Sequence, residues 1–130
     1  MARLLSAVAT ALLVSVASAA AAAPPQLVGK WTRIPSDGDV KRAHATGINS
    51  GTIWTFTVRK NGLAIISGSA GQFSGPIVSA GPGRVHIDIL TPPSDTYTWQ
   101  ASGKTLTLTK VKDPAPDRVA VFDGVWHRSG

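Results

Sequence analysis

The sequence predicts an all-β domain: a single antiparallel up-and-down β-barrel of about eight strands, with a short helical turn before the last strand. Three observations carry this prediction: a pentapeptide pattern recurs at the two ends of the domain, the composition disfavours helix, and the loops alternate in length. The recurring pattern is Gly29-Lys30-Trp31-Thr32-Arg33 and Gly124-Val125-Trp126-His127-Arg128. Side chains alternate along an extended strand. Gly, Trp and Arg of each copy therefore share one face, while Lys30, Thr32, Val125 and His127 take the other. Glycine permits close backbone approach, the indole supplies a large apolar surface, and an arginine can lie over an aromatic face. A first and a last strand built alike suit the seam of a closed barrel. Gly29, Trp31, Arg33, Gly124, Trp126 and Arg128 are therefore assigned to barrel closure, with Arg33 or Arg128 over Trp31.

Composition points the same way. The chain has no Glu and no Cys, and beyond the N-terminal segment it is poor in Leu and rich in Thr, Val, Ile, Gly and Pro. These choices favour short strands over helices. Without cysteine, the domain must hold together by burial and hydrogen bonding rather than by disulfides.

The strands follow in order. Val28–Ile34 is the first. Thr52–Lys60 alternates with Trp54, Phe56 and Val58 on one face, and Asn61-Gly62 predicts a tight type I′ hairpin into Leu63–Ser67. Gln72–Val78 is weaker, since Gly75-Pro76 interrupts it and predicts an edge or a bulge. Arg84–Leu90 turns Val85, Ile87 and Ile89 inward against His86 and Asp88. Thr96–Ala101 places Tyr97 and Trp99 on one face, and Ser102-Gly103 turns it into Thr105–Val111. Pro114-Ala115-Pro116-Asp117 introduces one helical turn, Arg118–Phe122, before the closing strand Gly124–Arg128. The loops after the even strands are tight. Those after the odd strands include the long Pro35–Gly51 and Lys112–Asp123, so one end of the barrel is narrow and the other carries a lid-sized loop.

Residues 1–23 are read as a Sec-type signal peptide rather than as fold, leaving one domain over residues 24–130. Arg3 is the only charge before the apolar run Leu4 to Val16, and Ala17-Ser18-Ala19 offers a small-residue cleavage site. The run is too short to span a membrane, and no Cys is present for a lipid anchor. The protein is expected to be secreted or periplasmic and not membrane-embedded. The domain then carries twelve Lys and Arg against seven Asp, a net charge of +5. These charges are scattered, and no basic stripe interleaved with aromatics appears, so no nucleic-acid partner is expected.

The segments Tyr97-Thr98-Trp99, Leu106-Thr107-Leu108-Thr109, Asp117-Arg118 and Gly124-Val125-Trp126-His127-Arg128, joined to the Gly-x-Trp of the first strand, resemble small exported bacterial lipocalin-like proteins of the calycin type. The chain departs from that pattern in being short, lacking a disulfide and having no helix after its last strand. The resemblance implies a barrel that binds a small apolar or amphipathic molecule. Avidin-like and protease-inhibitor barrels share the architecture.

Trp54, Phe56, Tyr97 and Trp99 occupy inward positions and are the candidate ligand-binding residues; they either line a cavity or fill it. Tyr97 and Trp99 carry polar tips that need a partner when buried. Pro35–Gly51 is long enough to act as a lid. Its Asp37-Gly38-Asp39 lacks the further oxygen ligands of a calcium loop and reads as turn chemistry. His44, His86 and His127 have no metal-ligand spacing, and Ser67-Gly68-Ser69-Ala70-Gly71 lacks the first glycine of a nucleophile elbow. No catalytic residue, metal or cofactor is expected. Two functions stay open: a carrier of one small molecule, or a filled barrel whose loops bind an exported protein or an envelope polymer.

Overall fold

The structure, a computed structural model, describes residues 23–69, 71–89 and 95–129. It is a closed antiparallel barrel of eight strands in sequential order. The strands are β1 (Gly29–Arg33), β2 (Trp54–Val58), β3 (Leu63–Gly68), β4 (Gly71–Ser79), β5 (Arg84–Ile87), β6 (Thr96–Ser102), β7 (Thr105–Lys112) and β8 (Gly124–Arg128). A 3-10 turn (Pro25–Leu27) precedes β1, helix α1 (Asp37–Ala43) lies in the β1–β2 connection, and helix α2 (Pro116–Phe122) precedes β8. The barrel prediction and the helical element before the last strand match this architecture. The signal peptide assigned to residues 1–23 lies outside the described residues except for Ala23, whose N–H donates to Lys60 O. Among the described residues, no helix is long and apolar enough to cross a membrane.

Alternation sets the core. Trp54, Phe56 and Val58 of β2, Ala64 and Ile66 of β3, Val85 and Ile87 of β5, and Leu106 and Leu108 of β7 are all buried. Their strand neighbours face outward, as a two-residue period requires. The seam is narrow: β1 meets β8 only at Trp31↔Arg128 and Thr32↔His127.

Three local expectations are corrected. The β2–β3 turn is not type I′, because Gly62 has a positive φ and Asn61 does not. The Asn61 side chain instead accepts the Leu63 N–H, and Arg59 N–H closes the wider loop on Leu63 O. Strand β4 is neither an edge nor bulged: it pairs with β3 and then with β5, and neither ladder shifts register. Gly75 lets the Asp88 backbone pass where a Cβ would collide, and Pro76 O accepts the Asp88 N–H. Pro76 sits where pairing with β3 ends and pairing with β5 begins, so its missing N–H interrupts neither ladder.

The third correction is α1, inside a segment read as loop. Ser36 caps it by accepting Asp39 N–H, and Asp39 reciprocally accepts Ser36 N–H. Asp37 and Asp39 suit the positive end of the helix, and Lys41 and Arg42 suit the negative end. Gly38 and the short length hid a signal that Ser36-x-x-Asp39 carried.

Candidate functional site

The two terminal pentapeptides close the barrel by exchanging arginines. Arg128 lies over Trp31, its guanidinium carbon 4.1 Å from the ring centroid. It passes across Gly29, where a Cβ would collide with it, and donates to Val28 O at 3.2 Å. Arg33 crosses the glycine of the other copy: it passes over Gly124 and donates to Ala120 O, Val121 O and Asp123 O, the carbonyls that end α2. Both glycines have φ values that side chains disfavour, +141° and +149°. Each indole N–H donates to the carbonyl four residues before it, Trp31 to Leu27 and Trp126 to Phe122. Arg33 also pairs with Asp39 at 2.9 Å, which ties α1 to the seam. Burial pulls the Arg33 pKa down, and Asp39 works against that pull.

The barrel centre is filled from α2. Pro116 starts this helix, and Arg118 through Phe122 are buried. The Phe122 ring sits 5.1 Å edge-on from Phe56, 5.9 Å from Trp126 and 6.3 Å from Tyr97. Phe56 and Tyr97 are therefore core residues of an aromatic plug.

A charged network lies under that plug. Arg118 donates from Nε and Nη2 to the two carboxylate oxygens of Asp113, at 2.8 and 2.7 Å, and from Nη1 to Ile89 O at 3.1 Å. Tyr97 Oη donates to Asp113 Oδ2 at 2.6 Å. Burial and the Asp113 hydrogen bond push the Tyr97 pKa up. Burial is the largest single influence on Arg118 and opposes its charge, but the Asp113 bond together with the charges of Asp113 and Asp95 raises its pKa on balance. Asp95 accepts Ile87 N–H through Oδ1 and lies 3.2 Å from Arg118 Nε through Oδ2. That ion pair lacks hydrogen-bond alignment, so Asp95 Oδ2 is left without a donor.

Burial, only partly offset by the Ile87 N–H and Arg118, raises the Asp95 pKa to about 6. A carboxyl that holds its proton more tightly folded than unfolded stabilises the fold fully below its unfolded pKa, and that contribution is lost as pH rises through about 6. Between pH 4 and pH 7, wild-type stability is therefore expected to fall relative to that of Asp95→Asn, which does not titrate. The difference should change by at most about 3 kcal/mol. Urea unfolding of both proteins across this range measures it, and a difference constant with pH would refute the assignment.

A partly open pocket lies beside the plug. A cavity of about 210 Å³ is lined by Gly47, Ile48, Trp54, Ile66, Phe73, Asp117, Arg118, Val121 and Phe122. Its roof is the β1–β2 connection, held down by Asp117 Oδ1, which accepts the N–H groups of Thr46 and Gly47 at 3.1 and 3.2 Å. One face of the Trp54 indole is packed on Gly68, where a Cβ would fall within its ring. Trp54 is 3% exposed, yet its Nε1 has no hydrogen-bond partner. Burying a donor without an acceptor costs about 1–3 kcal/mol.

Of the four predicted ligand-binding residues, Trp54 lines this cavity, while Phe56 and Tyr97 pack in the core. Trp99 is partly buried against the core, away from the cavity lining. Ile48, Phe73, Val121 and Phe122 were not anticipated. Ile48 lies in a loop and Val121 and Phe122 in a segment read as one helical turn, so no strand alternation marked these three, and Phe73 lies on the strand read as weak.

On the outside, an open groove of about 680 Å³ runs along the seam beyond the last β1–β8 pair. Ile34, Ile53 and Val125 line it and are exposed.

No protein-family model matches this chain, and neither does any curated protein.

Proposed function

We propose that this is an exported binding protein that holds one small apolar or amphipathic molecule in the cavity beside Trp54, under the β1–β2 connection. The observation that carries the proposal is a mostly apolar, partly open cavity of about 210 Å³ walled by three aromatic residues, one of them with an unsatisfied donor. Binding sites combine an apolar lining with a few polar groups that set orientation. The volume lies below the roughly 300–1,000 Å³ of sites for drug-sized ligands, so the cargo is small. The resemblance to exported lipocalin-like barrels and the apolar N-terminal segment support a secreted or periplasmic location. The Asp117 strap over the cavity suits a roof that opens to admit the molecule.

Native mass spectrometry on protein exported by its own host and purified without detergent tests this. A reproducible small-molecule adduct, released on denaturation, is expected. Val121→Phe, which fills the cavity from α2, should abolish it at a folding cost of about 1–3 kcal/mol. A clean apo mass from folded wild-type protein would reject the carrier.

The second function is an interaction module with a filled barrel, favoured by a separate observation. Three of the four exposed large apolar side chains among the described residues, Ile34, Ile53 and Val125, converge on the seam groove. Apolar surface gathered in this way marks contact sites more often than scattered residues do. The apo result above would direct the search to that groove.

A further inference from the structure

We infer that the molecule seated in the Trp54 cavity is a compact, neutral aromatic heterocycle whose ring acceptor takes the Trp54 indole N–H. This rests on the cavity being the ligand site and specifies what the site selects.

Size comes first. A cavity of about 150 Å³ lined by aliphatic and aromatic side chains stays dry and takes up benzene. At about 210 Å³, this one accommodates one ring or two fused rings. Shape and chemistry of the walls come second. Trp54, Phe73 and Phe122 offer aromatic surfaces, and Ile48, Ile66 and Val121 complete an apolar lining. Aromatic pairs gain stacked or edge-on contacts beyond area burial alone, which favours a flat ring over a branched alkane.

Charge comes third. The two charged lining residues are both committed to protein partners. Asp117 holds the Thr46 and Gly47 N–H groups, and Arg118 is bonded to Asp113 and to Ile89 O. An anion would have to draw Arg118 out of its set, and a cation would meet only the Asp117 edge of an otherwise apolar lining, so a neutral molecule suits the cavity best.

The polar handle comes last. Trp54 Nε1 and Asp95 Oδ2 are the two buried side-chain atoms without a hydrogen-bond partner among the described residues. Only Trp54 belongs to the cavity wall. The indole N–H projects from the ring edge, so the Gly68 contact on one face leaves it able to meet an acceptor placed in the cavity that the same ring lines. An indole is a donor and never an acceptor, so the ligand must supply the lone pair. Satisfying an orphaned buried donor recovers its desolvation cost.

The isosteric pair quinoline and naphthalene isolates this term, because the two share size and shape and differ by one ring nitrogen. Calorimetric titration at neutral pH is expected to show quinoline binding about tenfold more tightly to the wild-type protein. In the proton–nitrogen correlation spectrum, the Trp54 indole signal should move downfield with quinoline and stay near its free position with naphthalene. Trp54→Phe should erase the preference. The indole shift is read on wild-type protein, so the test stands even if that variant folds poorly. Naphthalene binding as tightly as quinoline, with no downfield shift, would overturn the acceptor requirement and leave the cavity as an apolar site. Failure of both probes to bind the folded protein would overturn the cavity assignment, and this inference with it.

Discussion

Replacing both Trp31 and Trp126 by alanine is expected to leave the protein unfolded at 25 °C without denaturant. Both indoles are fully buried, and each closes one copy of the same device: its N–H ends on a carbonyl four residues back, and an arginine from the opposite terminus completes the joint. Truncating a buried tryptophan to alanine costs about 3–5 kcal/mol. The two losses together approach or exceed the roughly 5–15 kcal/mol that holds a natural domain folded. Each single variant should remain folded with a much lower urea midpoint. Trp126→Ala should be the more damaging, because Trp126 also packs against Phe56 and Phe122, at 5.5 and 5.9 Å between ring centroids. Circular dichroism with urea titration reads the result. A cooperative double variant with wild-type stability would mean that the terminal repeat does not close the barrel.

The second large effect is expected at Arg118. This side chain is fully buried with the side chains of Asp113 and Asp95, and it bridges α2 to the segment that joins β5 to β6 and to the residue after β7. Arg118→Met keeps much of the volume and removes the only cation in this group, leaving two carboxylates facing each other in a low-dielectric interior. Removing one partner of a buried ion pair costs about 3–5 kcal/mol, far more than the pair contributes over an apolar replacement. Combining Arg118→Met with Asp113→Asn is expected to recover part of that loss. The amide can still accept the Ala115 N–H and can donate to Tyr97 Oη, which removes one of the two stranded carboxylates and leaves only Asp95. Arg118→Lys should not rescue, since a single ammonium cannot make the two-pronged contact with Asp113. If Arg118→Met proved as stable as wild type, the network would have no role in seating α2.

These two sites differ in how far the sequence revealed them. The terminal repeat is legible because Gly-x-Trp-x-Arg is a local pattern that appears twice. The Arg118 network is not, because Asp95, Asp113 and Arg118 come from three loop or helix positions with no shared period. Asp117-Arg118 stood out only within the resemblance to lipocalin-like barrels, and its neighbours gave no reason to place the arginine inside. The candidate site divides in the same way. Trp54 was singled out from strand alternation and does line the cavity. Phe56 and Tyr97 were singled out by the same rule, but Phe122 arrives from α2 and occupies the space they face.

Sequence alone determined the strand order, the inward faces, the tight and long ends of the barrel and the paired terminal motifs. All of these follow from alternation and turn residues among near neighbours, where the backbone's two-residue period leaves little choice. Only the tertiary structure decided that Arg128 rather than Arg33 covers Trp31, that Phe122 of α2 packs among the inward aromatics, and that a cavity lies beside Trp54. These outcomes depend on how ends distant in the chain meet when the sheet closes. Closure fixes the volume left inside, and that volume determines which inward residues meet a ligand and which meet each other.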